Sequence, residues 1–222
     1  MHNLQLTEDQ ALIVDTVRKF TADVVAPTVL DHDEHRRFAR AEFDGLAELG
    51  MFGLLTAEDN GGAGMGMVPL VAALESIGEQ SGSLARLFLT QVQCALALEA
   101  AGSELLEGVM AGGALAVFLG FEHGFVVEDG ALSGMAELVP GGGEANVFVV
   151  AATENDEPVL VTCDAAATPR TALRSLGMAS TAPARVRCAG SVAAVVARGE
   201  KARPAIAAAH RVAMIGVAAA AA

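Results

Sequence analysis

Apolar residues recur near the start of the chain at Leu12, Ile13, Val17, Phe20, Val24 and Val25, the spacing of one helix face. Thr7 followed by Gln10 has the form of a capping box, so this spacing predicts a helix beginning at Thr7. Pro27 marks its end or a kink. The run from Asp31 to Arg37 is charged and is read as a solvated connection. Phe43, Leu46, Ala47 and Leu49 predict a second helix over 40–49, stopped by Gly50. Helical spacing returns over 69–80, 83–101 and 103–111, with Ser103 as a candidate N-cap of the last. The intervening stretch 56–67 holds Gly61, Gly62, Gly64 and Gly66 and reads as a loop, because neither periodicity survives them.

The period shortens near Gly112. Ala114 to Leu119 is a compact apolar run. Phe125-Val126-Val127 and Ala131-Leu132-Ser133 flank a Glu128-Asp129-Gly130 turn. Asn146 to Ala152 and Pro158 to Thr162 predict two strands around a polar turn, and Val186 to Val196 at least one more. Short strands joined by Gly and Asp turns, with no long helices between them, predict an antiparallel sheet or small barrel rather than a parallel one. From Pro204 the pattern is helical again, with no stop signal before Ala222. The expected class is α+β. A helical domain spans 1–112, a β-domain 113–203, and the start of a second helical domain 204–222.

Charge and composition narrow the function. The net charge is −13 and only Lys19 and Lys201 are lysines, so no basic face for nucleic acid is expected. The acidic balance speaks against anionic membranes, and the run from Ala205 is broken by His210 and Arg211, so no membrane association is expected. Met1 to Gln5 does not open like a signal peptide. Cys94, Cys163 and Cys188 are odd in number and widely spaced, which fits a reducing cytoplasm and neither a zinc site nor a redox pair. Scarce aromatics and abundant alanine point modestly to oligomerisation.

Candidate chemistry is sparse. The glycines of 61–66 lack the Lys-Ser/Thr of a phosphate loop and read as turn formers. His32 and His35 lie in a solvated charge run, so no metal site is expected there. His210 sits on an apolar helical segment and reads as a core or interface histidine. His123, beside Glu122, is the imidazole in a plausible cleft position, but no nucleophile accompanies it.

The order of local phrases adds more. Leu6-Thr7-Glu8-Asp9-Gln10, Val17-Arg18-Lys19-Phe20 and Val25-Ala26-Pro27 resemble the opening helix of acyl-CoA dehydrogenases. Leu46 to Leu54 resembles the ending of their second helix, and Glu58-Asp59-Asn60-Gly61-Gly62-Ala63-Gly64 their glycine loop. Glu75-Ser76-Ile77-Gly78 and Ala101-Gly102-Ser103 fall at the expected later positions, and Arg211 to Ala219 looks like the first helix of the carboxy-terminal domain. The resemblance implies a helical domain, a middle β-domain and a carboxy-terminal helical domain, in a dimer or tetramer. It also implies FAD, an acyl-CoA substrate, removal of an α-proton by a carboxylate and of a β-hydride by flavin, and indirect electron transfer to an electron-transfer flavoprotein.

The same resemblance locates the departures. The family's Thr-Glu-Pro phrase stands here as Phe121-Glu122-His123, and its Trp-Ile-Thr phrase as Leu138-Val139-Pro140. Phe121, Glu122, Leu138, Val139 and Pro140 are therefore the expected cofactor-binding positions, with altered side chains. The family's catalytic carboxylate belongs to its carboxy-terminal domain. No acidic residue follows Glu200, so no catalytic residue is assigned. The expected role is a subunit of an FAD-dependent acyl-CoA dehydrogenase, with FAD weakly held, shared with a partner subunit or absent. The partner is another dehydrogenase-like chain or a second copy. Paired-subunit members acting on steroid-like CoA esters supply the pattern. A non-catalytic scaffold with this fold and a fragment of a longer chain are the alternatives.

Overall fold

A computed structural model describes residues 6–220. The readings made of Met1 to Gln5 and of the last two alanines lie outside the described residues.

The first helix, α1 (Glu8–Phe20), is fixed by its predicted cap: the Thr7 hydroxyl accepts from the Gln10 amide at 3.2 Å, and the Gln10 side chain accepts from the Thr7 amide at 3.1 Å. Before Pro27 the helix widens into a π turn, Thr21–Val25. The chain then departs from expectation. Residues predicted as a connection form a short helix, α2 (Val29–His35), ended by Arg36 at φ 53°. None of its residues is buried, so no apolar stripe announced it. Helix α3 (Arg40–Glu48) follows, and Gly50 takes the positive φ that ends it.

The glycine loop leads into α4 (Met67–Gln80), which starts slightly earlier than predicted. Gly62 is essential to the loop's shape, because a Cβ there would lie 2.1 Å from the Thr56 carbonyl oxygen. The central helix α5 (Gly82–Ala101) is capped by the Ser81 hydroxyl at the Leu84 amide and by Gly102 at φ 66°. By length and composition α5 alone among the described helices is apolar enough to cross a membrane, yet most of it is buried inside the fold, where it serves as the core helix. Helix α6 (Leu106–Met110) is shorter than predicted. The Ser103 hydroxyl accepts from the Leu105 amide in a preceding turn and does not cap it.

Strands β1 (Ala116–Leu119), β2 (Val126–Glu128), β3 (Ala131–Val139), β4 (Val147–Glu154), β5 (Glu157–Asp164), β6 (Arg170–Ala172), β7 (Ala184–Val192) and β8 (Ala194–Arg198) form one sheet. The order is β6-β7-β3-β2-β4-β5-β8, with β1 also on β4. Five strand pairings are antiparallel, as predicted, but β1 and β2 both lie parallel to β4 along one edge. The hairpins β2–β3 and β4–β5 close through Asp129-Gly130 and Asn155-Asp156, all four with positive φ, the geometry that suits the strand twist. Strand β6 is an exposed edge piece without alternation and was not predicted.

Helix α7 (Ala202–Ala220) carries Pro204 in its first turn and crosses α5 closely. Gly216 permits the approach, since a Cβ there would lie 2.3 Å from a Leu89 methyl. The larger of two core clusters runs through both layers, from the mutually tilted rings of Phe43, Phe52 and Phe88 to Phe125, Phe148 and Val161 in the sheet.

Candidate functional site

Helix α5 meets the sheet through buried polar side chains. The Gln91 amide nitrogen donates to the carbonyls of Val109 (2.7 Å) and Ala114 (2.8 Å), and its oxygen accepts from the Ala116 amide (2.9 Å). The Thr90 hydroxyl accepts from the Phe118 amide at 3.1 Å. These bonds run in reverse order along the two elements, so α5 runs against β1. One turn earlier on α5, Arg86 therefore faces the 3-10 turn Phe121–His123 that follows β1. On the neighbouring face of α5, Gln93 donates to the Ala209 carbonyl of α7 at 3.3 Å. Arg86 thus lies on the side of α5 that looks toward the turn after β1.

Arg86 is half-buried, and its Nη1 is fully buried with no hydrogen-bond partner among the described residues. Burial pulls its pKa below the ordinary guanidinium value, opposed by nearby Cys94 and Glu122. Glu122 is close enough to be felt, but no ion pair joins it to Arg86 among the described residues. Its carboxylate lies 3.6 Å from His123 Nε2, and the His123 ring stands edge-on to Phe125.

Phe121 is 40% exposed and turned toward α7. With Pro158, Ile206, Ala207, His210 and Arg211 it lines a groove of about 500 Å³. The His210 ring packs edge-on to Phe118, with centroids 5.9 Å apart, in agreement with a packing role. His32 and His35 contact carboxylates, and no group of three or more metal-ligating side chains occurs among the described residues.

The second candidate phrase ends β3. Leu138 is exposed, Val139 is buried, and Pro140 opens the turn to β4. That turn is closed upon the protein. The Gly141 amide donates to the Thr181 carbonyl, Gly142 to Val139, Gly143 to Ala182 and Glu144 to Gly141, at 2.8–3.1 Å. Arg170 Nη1 donates to the carbonyls of Gly142, Gly143 and Ala145 at 3.1–3.2 Å. Gly141 also abuts Leu87 of α5 and Val117 of β1. Both candidate phrases therefore flank the first half of α5.

The flavin implied by resemblance needs polar donors from the phrase at 138–140. Pro140 has no amide hydrogen, and the next four amides are engaged within the protein. The 140–144 turn therefore offers a flavin no hydroxyl and no free amide. Arg86 and Arg170 escaped the sequence reading. An isolated arginine amid Leu84, Ala85, Leu87, Phe88 and Leu89 was the available signal for the first. Arg170 is exposed, and its partners are backbone carbonyls that leave no trace in sequence.

Comparison with known proteins supplies an independent frame. Residues 7–107 match the family described as "Acyl-CoA dehydrogenase, N-terminal domain". The chain is 40% identical over 83 residues to benzylmalonyl-CoA dehydrogenase of Aromatoleum aromaticum, a match covering 37% of this chain and 22% of that protein. Butyryl-CoA dehydrogenase from Megasphaera elsdenii shares the fold over 99% of this chain and 66% of its own, with a TM-score of 0.83 at 20% identity. A glutaryl-CoA dehydrogenase from Mycobacterium smegmatis, solved in complex with FADH2, matches 96% of this chain and 62% of its own, with a TM-score of 0.81 at 18% identity. The chain thus spans slightly under two thirds of these solved structures.

Proposed function

This chain belongs to the acyl-CoA dehydrogenase family, and on that premise we propose that it acts as one subunit of a flavin-dependent enzyme that dehydrogenates acyl-CoA thioesters. It contributes the helical layer and the sheet. A partner, either a second dehydrogenase-like chain or another copy, contributes flavin contacts, and the carboxylate base comes from a dehydrogenase-like partner or from the carboxy-terminal domain that the resemblance implies. Electrons then pass to an electron-transfer flavoprotein, and the setting is cytoplasmic. Domain limits near 112 and 203 belong to the same reading.

The closed turn at 140–144 carries this proposal. A family member whose own turn donates nothing outward requires its flavin to be held largely by other residues. One further observation agrees. Helix α7 exposes Met214 (78%), Ile215 (42%) and Val217 (57%), an apolar face suited to cover by another chain. Phe121, Glu122, Leu138, Val139 and Pro140 then bound the cofactor region through shape and apolar contact rather than through side-chain donors.

The test is reconstitution. The chain is expressed with neighbouring dehydrogenase-like reading frames, co-purifying chains are identified by intact mass, and acyl-CoA oxidation is assayed with an artificial electron acceptor. Activity that appears only with the partner present is expected. A complex that never oxidises any acyl-CoA would favour the scaffold alternative.

A further inference from the structure

Two of the three free cysteines meet inside the sheet. Cys163, near the end of β5, and Cys188, within β7, are both buried and belong to the same core cluster. Strands β5 and β7 are not neighbours, since β3, β2 and β4 lie between them in the sheet. The turn after β5 brings the two together. It folds back through Thr168, whose buried hydroxyl lies 2.8 Å from the Asp164 carbonyl oxygen and 3.8 Å from Cys163 Sγ. The chain then runs along β7: the Arg187 amide donates to the Pro169 carbonyl at 3.0 Å, and Arg170 stands opposite Val186. The same register sets Thr168 level with Cys188. Cys163, Thr168 and Cys188 therefore converge on one point, and the two thiols share a hydrogen bond. Cys94 lies apart, on α5 in the other core cluster.

We propose that Cys163 and Cys188 form a redox-active pair that a peroxide converts reversibly to an intramolecular disulfide, tying β5 to β7. This inference is independent of the acyl-CoA reading. The Cys188 sulfur attacks one peroxide oxygen, the O–O bond breaks, and Cys188 becomes a sulfenic acid as the first water leaves. The Cys163 sulfur then displaces the sulfenic oxygen, the S–S bond forms, and a second water leaves. The two thiols together give up two hydrogens, and the peroxide is reduced to water. Cys188 reacts first because hydrogen bonds from Cys163 and Ser191 favour its thiolate against the opposing effect of burial. Ala189 and Gly190, which follow it, are exposed, so a small oxidant has a short path to this thiol. The bond closes a loop over residues 163–188. That loop carries Arg170, Thr181 and Ala182, the groups that hold the 140–144 turn. Closing it restricts the unfolded chain and so stabilises the folded one.

The test uses the full chain, with any chain that co-purifies, reduced, desalted and exposed under native conditions to hydrogen peroxide. Remaining thiols are then alkylated with iodoacetamide in urea, and intact mass and unreduced peptide maps are recorded. One alkylated cysteine, Cys94, is expected, together with a loss of about 2 Da from the pair. A single linked peptide pair should join Cys163 to Cys188, and dithiothreitol should restore three alkylation sites. The oxidised form should also show a higher urea midpoint than the reduced form. In Cys163→Ser the link is lost and Cys188 gains oxygen instead, about 16 or 32 Da. Three alkylated cysteines after peroxide, a link through Cys94, or a link between two chains overturns the proposal. So does a midpoint that does not rise on oxidation. If Cys163→Ser fails to fold, as circular dichroism would show, the peptide map of the unsubstituted chain decides.

Discussion

The seam between α5 and β1 and the turn between β3 and β4 both rely on polar groups, but in opposite ways. In the seam, side chains of Thr90 and Gln91 satisfy main-chain groups of the sheet, and one cation, Arg86, is left over. In the turn, main-chain amides satisfy main-chain carbonyls, Arg170 closes the remainder, and no amide of 141–144 is left over. The first region lies largely inside the stretch that matches relatives by sequence, the second in the part that matches by fold alone. A fold can thus persist while the groups it offers to a ligand are turned inward.

The comparison breaks most readily at Gln91. Gln91→Leu leaves the Ala114 carbonyl and the Ala116 amide without partners and takes one of two donors from the Val109 carbonyl. At about 1–3 kcal/mol for each of the two stranded groups, the loss is roughly 2–6 kcal/mol, read as a fall in the urea midpoint. A change below about 1 kcal/mol would mean that the seam is not held as described.

Arg170→Ala tests the turn in the same manner. Arg170 is exposed, so the stability lost is smaller, about 1 kcal/mol, while amide exchange at Gly141 to Glu144 accelerates. Unchanged exchange there would show that Arg170 does not close the turn.

The cysteines sharpen the contrast between buried and reachable groups. Burial raises the Cys94 pKa, and a hydrogen bond with Cys188 is the main cause that raises that of Cys163. The same bond lowers Cys188. Under mild denaturant, iodoacetamide is expected to label Cys188 first and Cys94 last, followed by mass spectrometry. Early labelling of Cys94 would contradict its place in the core.

The smallest effect concerns the hairpin edge. The Arg198 hydrogen bond holds the Glu154 carboxyl below the ordinary carboxylate range. A depressed folded pKa stabilises above the unfolded value and ceases to do so as pH falls through the folded value. The difference in melting temperature between the unsubstituted chain and Arg198→Ala should therefore be steady near neutrality and vanish in acid. A difference that grows on acidification would reverse the assignment.

Much of this molecule was legible in its sequence wherever a local pattern sufficed. The Thr7–Gln10 cap, the glycine stop at Gly50 and the Asp129-Gly130 turn each follow from residues that specify their own backbone. Helix α2 and strand β6 were not, because both are exposed and carry no periodic apolar face. The parallel edge on β4 depends on contacts between distant segments. The expected cofactor positions came from resemblance alone, and the closure of the 140–144 turn arises from Thr181, Ala182 and Arg170, which are remote in sequence.

The central claim, that this chain cannot hold and use a flavin by itself, is tested most directly on the purified 222-residue chain without a partner. Its visible flavin absorbance is recorded after incubation with excess FAD and desalting, and acyl-CoA oxidation is assayed on the same sample. The account predicts flavin far below one per chain and no turnover. One flavin per chain together with acyl-CoA oxidation would contradict it.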